Sequence, residues 1–166
     1  MKDETEDRER RELPLDVLLS RVGLVVSGLG DTGVFDPFRD PIVTDQIGQD
    51  LAHRMRGLDP NVVCVWEEPA DMILAHVVAR ELGLGWVRCV NSDGLAAIIG
   101  PLPRSPRAAL VSSVALGIQT IRAIQNLLAV HGGGLVGVGV LVGTEQLDEV
   151  ASEVPAVVSL ARSAAS

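Results

Sequence analysis

The stretch Arg107-Ala-Ala-Leu-Val-Ser-Ser113, continued by Val114-Ala-Leu-Gly-Ile-Gln-Thr120 and followed by Gly134-Leu-Val-Gly-Val-Gly-Val-Leu-Val142, decides the fold. Its first and last pieces are apolar at consecutive positions, the pattern of a strand covered on both faces of a sheet. Between them Ile118, Ile121 and Leu128 mark one stripe of a helix. Buried strands separated by helices of about a dozen residues indicate a parallel sheet.

The same alternation recurs upstream. Asn61-Val-Val-Cys-Val-Trp66 reads as a short strand, Ile73, Val77 and Leu82 lie on a helix that stops at Gly83, and Gly85-Trp-Val-Arg-Cys-Val90 is a strand. Residues 95–99 form a further strand candidate. Val43, Ile47, Leu51 and Met55 recur every four residues, which predicts an amphipathic helix that begins near Thr44 or Asp45 and stops at Gly57. Residues 15–26 support a short helix. The glycine cluster Ser27-Gly-Leu-Gly-Asp-Thr-Gly33 is turn-rich and lacks the preceding strand and the following Lys-Ser/Thr of a phosphate-binding P-loop. The fold class is therefore α/β, a doubly wound parallel sheet with helices on both faces. In such sheets ligands sit beyond the carboxyl ends of the strands, where strand order reverses, so the loops after Val65, Val90 and Val111 carry any chemistry.

Composition narrows the function classes. The 166 residues are 47% hydrophobic and 22% charged, enough for a core in one domain over residues 13–166, preceded by a charged tail over residues 1–12. Aromatics are 2%, tyrosine is absent and the net charge is -8, which together argue against nucleic acid, whose binding needs stacking rings and clustered cations. Residues 2–12 alternate acid and base where a signal peptide needs an apolar segment, and no apolar run approaches a membrane span, so the expected location is the cytoplasm. Cys64 and Cys89 lie in apolar strands with no metal-ligand spacing and read as small buried hydrophobes. His53, His76 and His131 are isolated on or beside helices and read as surface residues.

The segment from Arg107 to Thr120, then Ile121-Arg-Ala and the glycine-started, valine-rich strand to Val142, resembles the diphosphate-sugar signature of the type I phosphoribosyltransferases, the orotate type in particular. Residues 62–83 look like the strand, pyrophosphate loop and helix that precede it. Val87-Arg88 with Ile99-Gly100 is similar to the hood segment, and Pro155-Ala-Val-Val-Ser-Leu160 is similar to the last strand. The likeness spans roughly residues 13–160, and it implies a homodimer that binds a nucleotide or phosphoribosyl ligand.

Several functional positions depart from the pattern. Where the resemblance expects paired carboxylates on the ribose hydroxyls, this chain has Ser112 and Ser113, which can give neutral hydrogen bonds but not charge-assisted ones. The phosphate loop reads Leu116-Gly117-Ile118-Gln119-Thr120, in which Gly117, Gln119 and Thr120 at a helix N-terminus could still meet a phosphate. In the pyrophosphate loop Trp66-Glu-Glu-Pro-Ala-Asp71 brings acids where a polyanion would lie. Glu67, Glu68 and Asp71 read as a divalent-cation set or, more simply, as a solvated acidic loop favoured by the helix dipole. Arg88 reads as an anion contact or a surface ion pair. Across residues 91–107 there is no lysine, and Arg104 and Arg107 are the cations available to the hood. The reading that follows is a transferase-like protein without transferase activity and with no certain cofactor, kept as a ligand-binding or interaction module. An active transferase that uses magnesium on Glu67 or Glu68, and an interaction subunit with no small ligand, are the alternatives.

Overall fold

The computed structural model describes residues 13–26 and 32–163. Helix α1 covers Leu15–Arg21 rather than the whole of residues 15–26. The helix ends because Gly23 adopts a φ of 88°, and a side chain there would run into the carbonyl oxygen of Val34. Leu24 then makes an isolated antiparallel bridge to Gly33. The rest of the glycine cluster, residues 27–31, and the charged tail lie outside the described residues.

Helix α2, Pro41–Met55, starts a turn earlier than its apolar stripe suggests. Asp40 is the cap, its Oδ1 accepting from Val43 N at 3.2 Å, and Pro41 occupies the first helical position, where its missing N–H is no loss. Thr44 is inside the helix, buried, and donates its hydroxyl to the Pro37 carbonyl. Val43, Ile47, Leu51 and Met55 are fully buried as one stripe. A single 3-10 turn, Arg56–Leu58, follows and closes on Asp59 in the left-handed region.

From there strand and helix alternate: β1 Val62–Trp66, α3 Pro69–Leu82, β2 Trp86–Ser92, β3 Leu95–Ile99, β4 Arg107–Val114, α4 Ile118–Val130, β5 Gly134–Gly143, α5 Glu145–Ala151 and β6 Val157–Arg162. Gly83 ends α3 at a φ of 70°, the conformation its position after the last apolar residue calls for. The six strands lie in the order β3-β2-β1-β4-β5-β6. All neighbours are parallel except β2 and β3, which form an antiparallel hairpin through the two-residue turn Asp93-Gly94, with φ of 54° and 80°.

Alternating strand residues feed two cores. Val63, Val65, Ala109 and Val111 pack with α1, α2 and α3, while Val62, Cys64, Ala108, Leu110, Val138 and Val140 pack with α4 and α5. Both cysteines are buried free thiols. The chain runs from β1 to β2 and β3 on one side, then returns through β4 to β5 and β6 on the other. Strand order therefore reverses between β1 and β4, and the crevice beyond their carboxyl ends is the site this topology offers. Among the described residues no helix is long and apolar enough to cross a membrane.

Candidate ligand crevice at the reversal point

Two side chains that are far apart in sequence meet at the crevice. Ser112, at the end of β4, donates its hydroxyl to Asp71 Oδ2 at 2.9 Å, and the Ser113 N–H donates to Asp71 Oδ1 at 2.9 Å. Asp71 belongs to the first turn of α3, whose start is fixed by Pro69 at the first helical position. Both partners are inside the protein, Asp71 4% exposed and Ser112 1%. Helix α3 is thus stapled to the end of the neighbouring strand, and the carboxylate is consumed by the protein itself. Burial pushes the Asp71 pKa up; the bonds from Ser113 and Ser112 pull the other way, and the charge of Glu68 adds to the rise.

The acidic loop is drawn apart rather than gathered. Glu67 continues the line of β1, its N–H donating to the Cys89 carbonyl, and its carboxylate accepts from Arg88 Nη1 at 2.8 Å. Both side chains are about two-fifths exposed, at 39% for Arg88 and 41% for Glu67, which makes this a surface ion pair worth at most about 1 kcal/mol. Glu68 precedes α3 without a side-chain cap bond, while Asp71 turns inward. The three acids therefore do not form the cation set the sequence suggested. Among the described residues no three His, Cys, Asp or Glu side chains are placed to hold a metal ion. With Asp71 spent on Ser112 and Ser113, and Glu67 spent on Arg88, the residues present do not fit magnesium.

On the other wall, Gly117 precedes α4 in an extended conformation and its carbonyl accepts from Thr120 and Ile121 N–H. Gln119 is exposed and Thr120 half-buried, and neither side chain bonds to the described residues. The amide of Gln146, on α5, lies 3.4 Å from the point where a Gly117 side chain would begin. Gln146 went unread in the sequence; its place one residue into the helix that follows β5 is the signal that puts it at this end of the sheet. The hood cations also need correcting. Arg107 opens β4 at the opposite end of the sheet, where its Nε donates to the Asp59 carbonyl at 3.0 Å and Asp59 is its ion-pair partner. Nor is there a long loop between β2 and β3, only Asp93-Gly94. At this end of the sheet Ser112, Ser113 and Asp71 lie together where β4 meets α3, Gly117, Gln119 and Thr120 stand at the start of α4, and Arg88 pairs with Glu67 on the β2 side. His53, His76 and His131 are exposed and take no part.

The fold and this crevice define an α/β protein of the doubly wound type with an antiparallel hairpin added at one edge. No protein-family model matches the sequence, and no curated protein matches it either. Solved structures do match. An orotate phosphoribosyltransferase from Aeropyrum pernix superposes with a TM-score of 0.70 at 19% identity, over 90% of this chain and 93% of that one. An adenine phosphoribosyltransferase from Thermoanaerobacter pseudethanolicus gives 0.68 at 18% identity, over 90% and 99%. The orotate enzyme of Mycobacterium tuberculosis, solved with 5-phospho-alpha-D-ribosyl 1-diphosphate, gives 0.65 at 19% identity, over 89% and 93%. The chain has the fold of the type I phosphoribosyltransferases.

Proposed function

We propose that this chain is a non-catalytic protein on the phosphoribosyltransferase fold, which binds a nucleotide or phosphoribosyl ligand at the β1/β4 crevice without transferring it. One observation carries the reading: the polar groups at the end of β4 are already bonded to Asp71, inside the protein. A transferase of the kind the sequence resembles needs carboxylates at that point, open to sugar hydroxyls and to a metal-bound diphosphate. Here the serines carry no charge and the nearby carboxylate is sealed beneath them. On the β2 side, Arg88 is already matched to Glu67.

What supports ligand binding is the opposite wall. Gly117, Gln119 and Thr120 stand at the N-terminus of a 13-residue helix, with an exposed amide and a half-buried hydroxyl among them, the kind of helix start that favours a phosphate. Arg88 is a second contact, available once Glu67 moves. The ligand class follows from proteins of the same fold, one solved with phosphoribosyl diphosphate and another, from Trypanosoma brucei, with AMP, pyrophosphate and ribose-5-phosphate.

Calorimetry with phosphoribosyl diphosphate and magnesium, beside a turnover assay with orotate and adenine, tests the proposal. No turnover is expected, together with an affinity for the metal diphosphate weaker than micromolar. Product from either base overturns it. A thermal-shift screen of nucleoside monophosphates without metal tests the ligand half, because a ligand at 100 times its Kd adds about 2.7 kcal/mol of stability. No shift with any nucleotide replaces ligand binding with a purely protein-facing role.

A further inference from the structure

We propose that β3 is a self-pairing edge, joining antiparallel to the same strand of a second copy of this chain. The two edges of the sheet are treated differently. At the β6 edge the Arg54 guanidinium donates to the carbonyls of Ser159 and Leu160, at 2.8 and 3.3 Å, and Arg162 adds a charge held by Asp148. Among the described residues, the β3 edge has none of the devices that keep an open strand from pairing. Leu95-Ala-Ala-Ile-Ile99 contains no charge, no proline and no bulge, in a chain whose net charge is -8.

Its side chains alternate. Ala96 and Ile98 are half-buried, with Ile98 packed on the core beneath α4, while Leu95, Ala97 and Ile99 form an outward stripe, Leu95 75% and Ile99 44% exposed. Its backbone alternates as well. In a two-residue hairpin the positions flanking the turn form a hydrogen-bonded pair, so Ser92 with Leu95, Val90 with Ala97 and Arg88 with Ile99 bond within the hairpin. That phase leaves the N–H and C=O groups of Ala96 and Ile98 directed at the open edge.

Self-complementarity identifies the occupant. A two-fold axis at Ala97 sets Ala96 against the second copy's Ile98, and Ile98 against its Ala96, which satisfies all four outward residues with bonded pairs. Ala97 then faces its own counterpart in a non-bonded pair, where Cα atoms approach to about 4.5 Å and the two methyl groups meet without a clash. Leu95 faces the second copy's Ile99 on the outward stripe, so both exposed apolar residues of each copy are covered. The nearest charge, Asp93, falls opposite Pro101 rather than another acid. Five residues per copy are few against an ordinary stable interface, which sets the expectation of a dimer that dissociates on dilution.

Sedimentation equilibrium over a micromolar to millimolar series is the test, with the unchanged chain, Ala97→Lys, Ala97→Glu and an equal mixture of the two variants. The unchanged chain should pass from monomer to dimer, each variant alone should stay monomeric with an unaltered far-ultraviolet spectrum, and the mixture should dimerise. Hydrogen exchange needs no variant: the Ala96 and Ile98 amides should become protected as concentration rises. A monomer throughout, a dimer that survives Ala97→Lys, or edge amides indifferent to concentration each overturns the proposal.

Discussion

Truncating Asp71 to alanine removes the acceptor of two 2.9 Å hydrogen bonds and strands the Ser112 hydroxyl, 1% exposed, together with the Ser113 amide. A buried polar group left without a partner costs about 1–3 kcal/mol. Two such groups, less the relief of no longer burying a carboxylate, put the loss near 2–4 kcal/mol. Asp71→Asn preserves the shape: the amide oxygen accepts from Ser113, the NH2 donates to the Ser112 oxygen, and the hydroxyl proton rotates away, so its stability should stay within about 1 kcal/mol of the parent. The two variants also differ in their response to pH. Because burial raises the Asp71 pKa, the folded chain holds that proton more tightly than the unfolded chain does. The resulting stabilisation is complete below the unfolded pKa and is lost as pH rises through the folded one. The parent should therefore weaken relative to Asp71→Asn from about pH 4 upward, then hold a constant difference once the folded group has ionised. Urea unfolding of the three proteins across a pH series, followed by circular dichroism, reads both effects. An alanine variant as stable as the parent, or a parent that gains on Asp71→Asn as pH rises, refutes the reasoning.

Converting Glu67 and Glu68 to glutamine frees Arg88 and removes two negative charges from the crevice. An exposed charge pair at contact is worth about 1 kcal/mol, so inorganic phosphate should bind about fivefold tighter by calorimetry, with a smaller gain in high salt. Gly48→Ala places a methyl 2.5 Å from Val77 Cγ1 and 2.9 Å from its Cβ, where α2 crosses α3. Overpacking of about 1–3 kcal/mol exceeds the helix-propensity gain of about 1, so urea unfolding should show a net loss that shrinks in a Val77→Ala background. Gly94→Ala meets no atom within 4 Å but must hold a φ of 80°, so it should lower stability by about 1–2 kcal/mol through backbone strain alone, measured as a fall in Tm.

Much of the framework was legible because it is written in local pattern. Val63 and Val65 feed one core and Val62 and Cys64 the other, so a strand with no polar alternation announced two covered faces. Gly83 fell where a left-handed cap was needed. The start of α2 was misplaced because its apolar stripe drew attention away from Asp40-Pro41, a capping residue and a first-turn proline just ahead of it. The Asp93-Gly94 turn was available too, since that dipeptide between apolar runs is a strong hairpin signal. The pairing of Asp71 with Ser112 is of another kind. It spans 41 positions, and a third acid beside Glu67 and Glu68 looks solvated until the sheet order brings β4 next to β1. Arg107 failed for the same reason: sequence neighbours of a loop need not share its end of the sheet.

The shortness of the β2–β3 connection reaches beyond the loop itself. A hairpin closed by two residues is too short to fold down over the ends of β1 and β4, so the β2–β3 connection puts nothing between that ground and solvent. On that side the exposed Arg88–Glu67 pair, and any charge that met it, would act through the high dielectric of water.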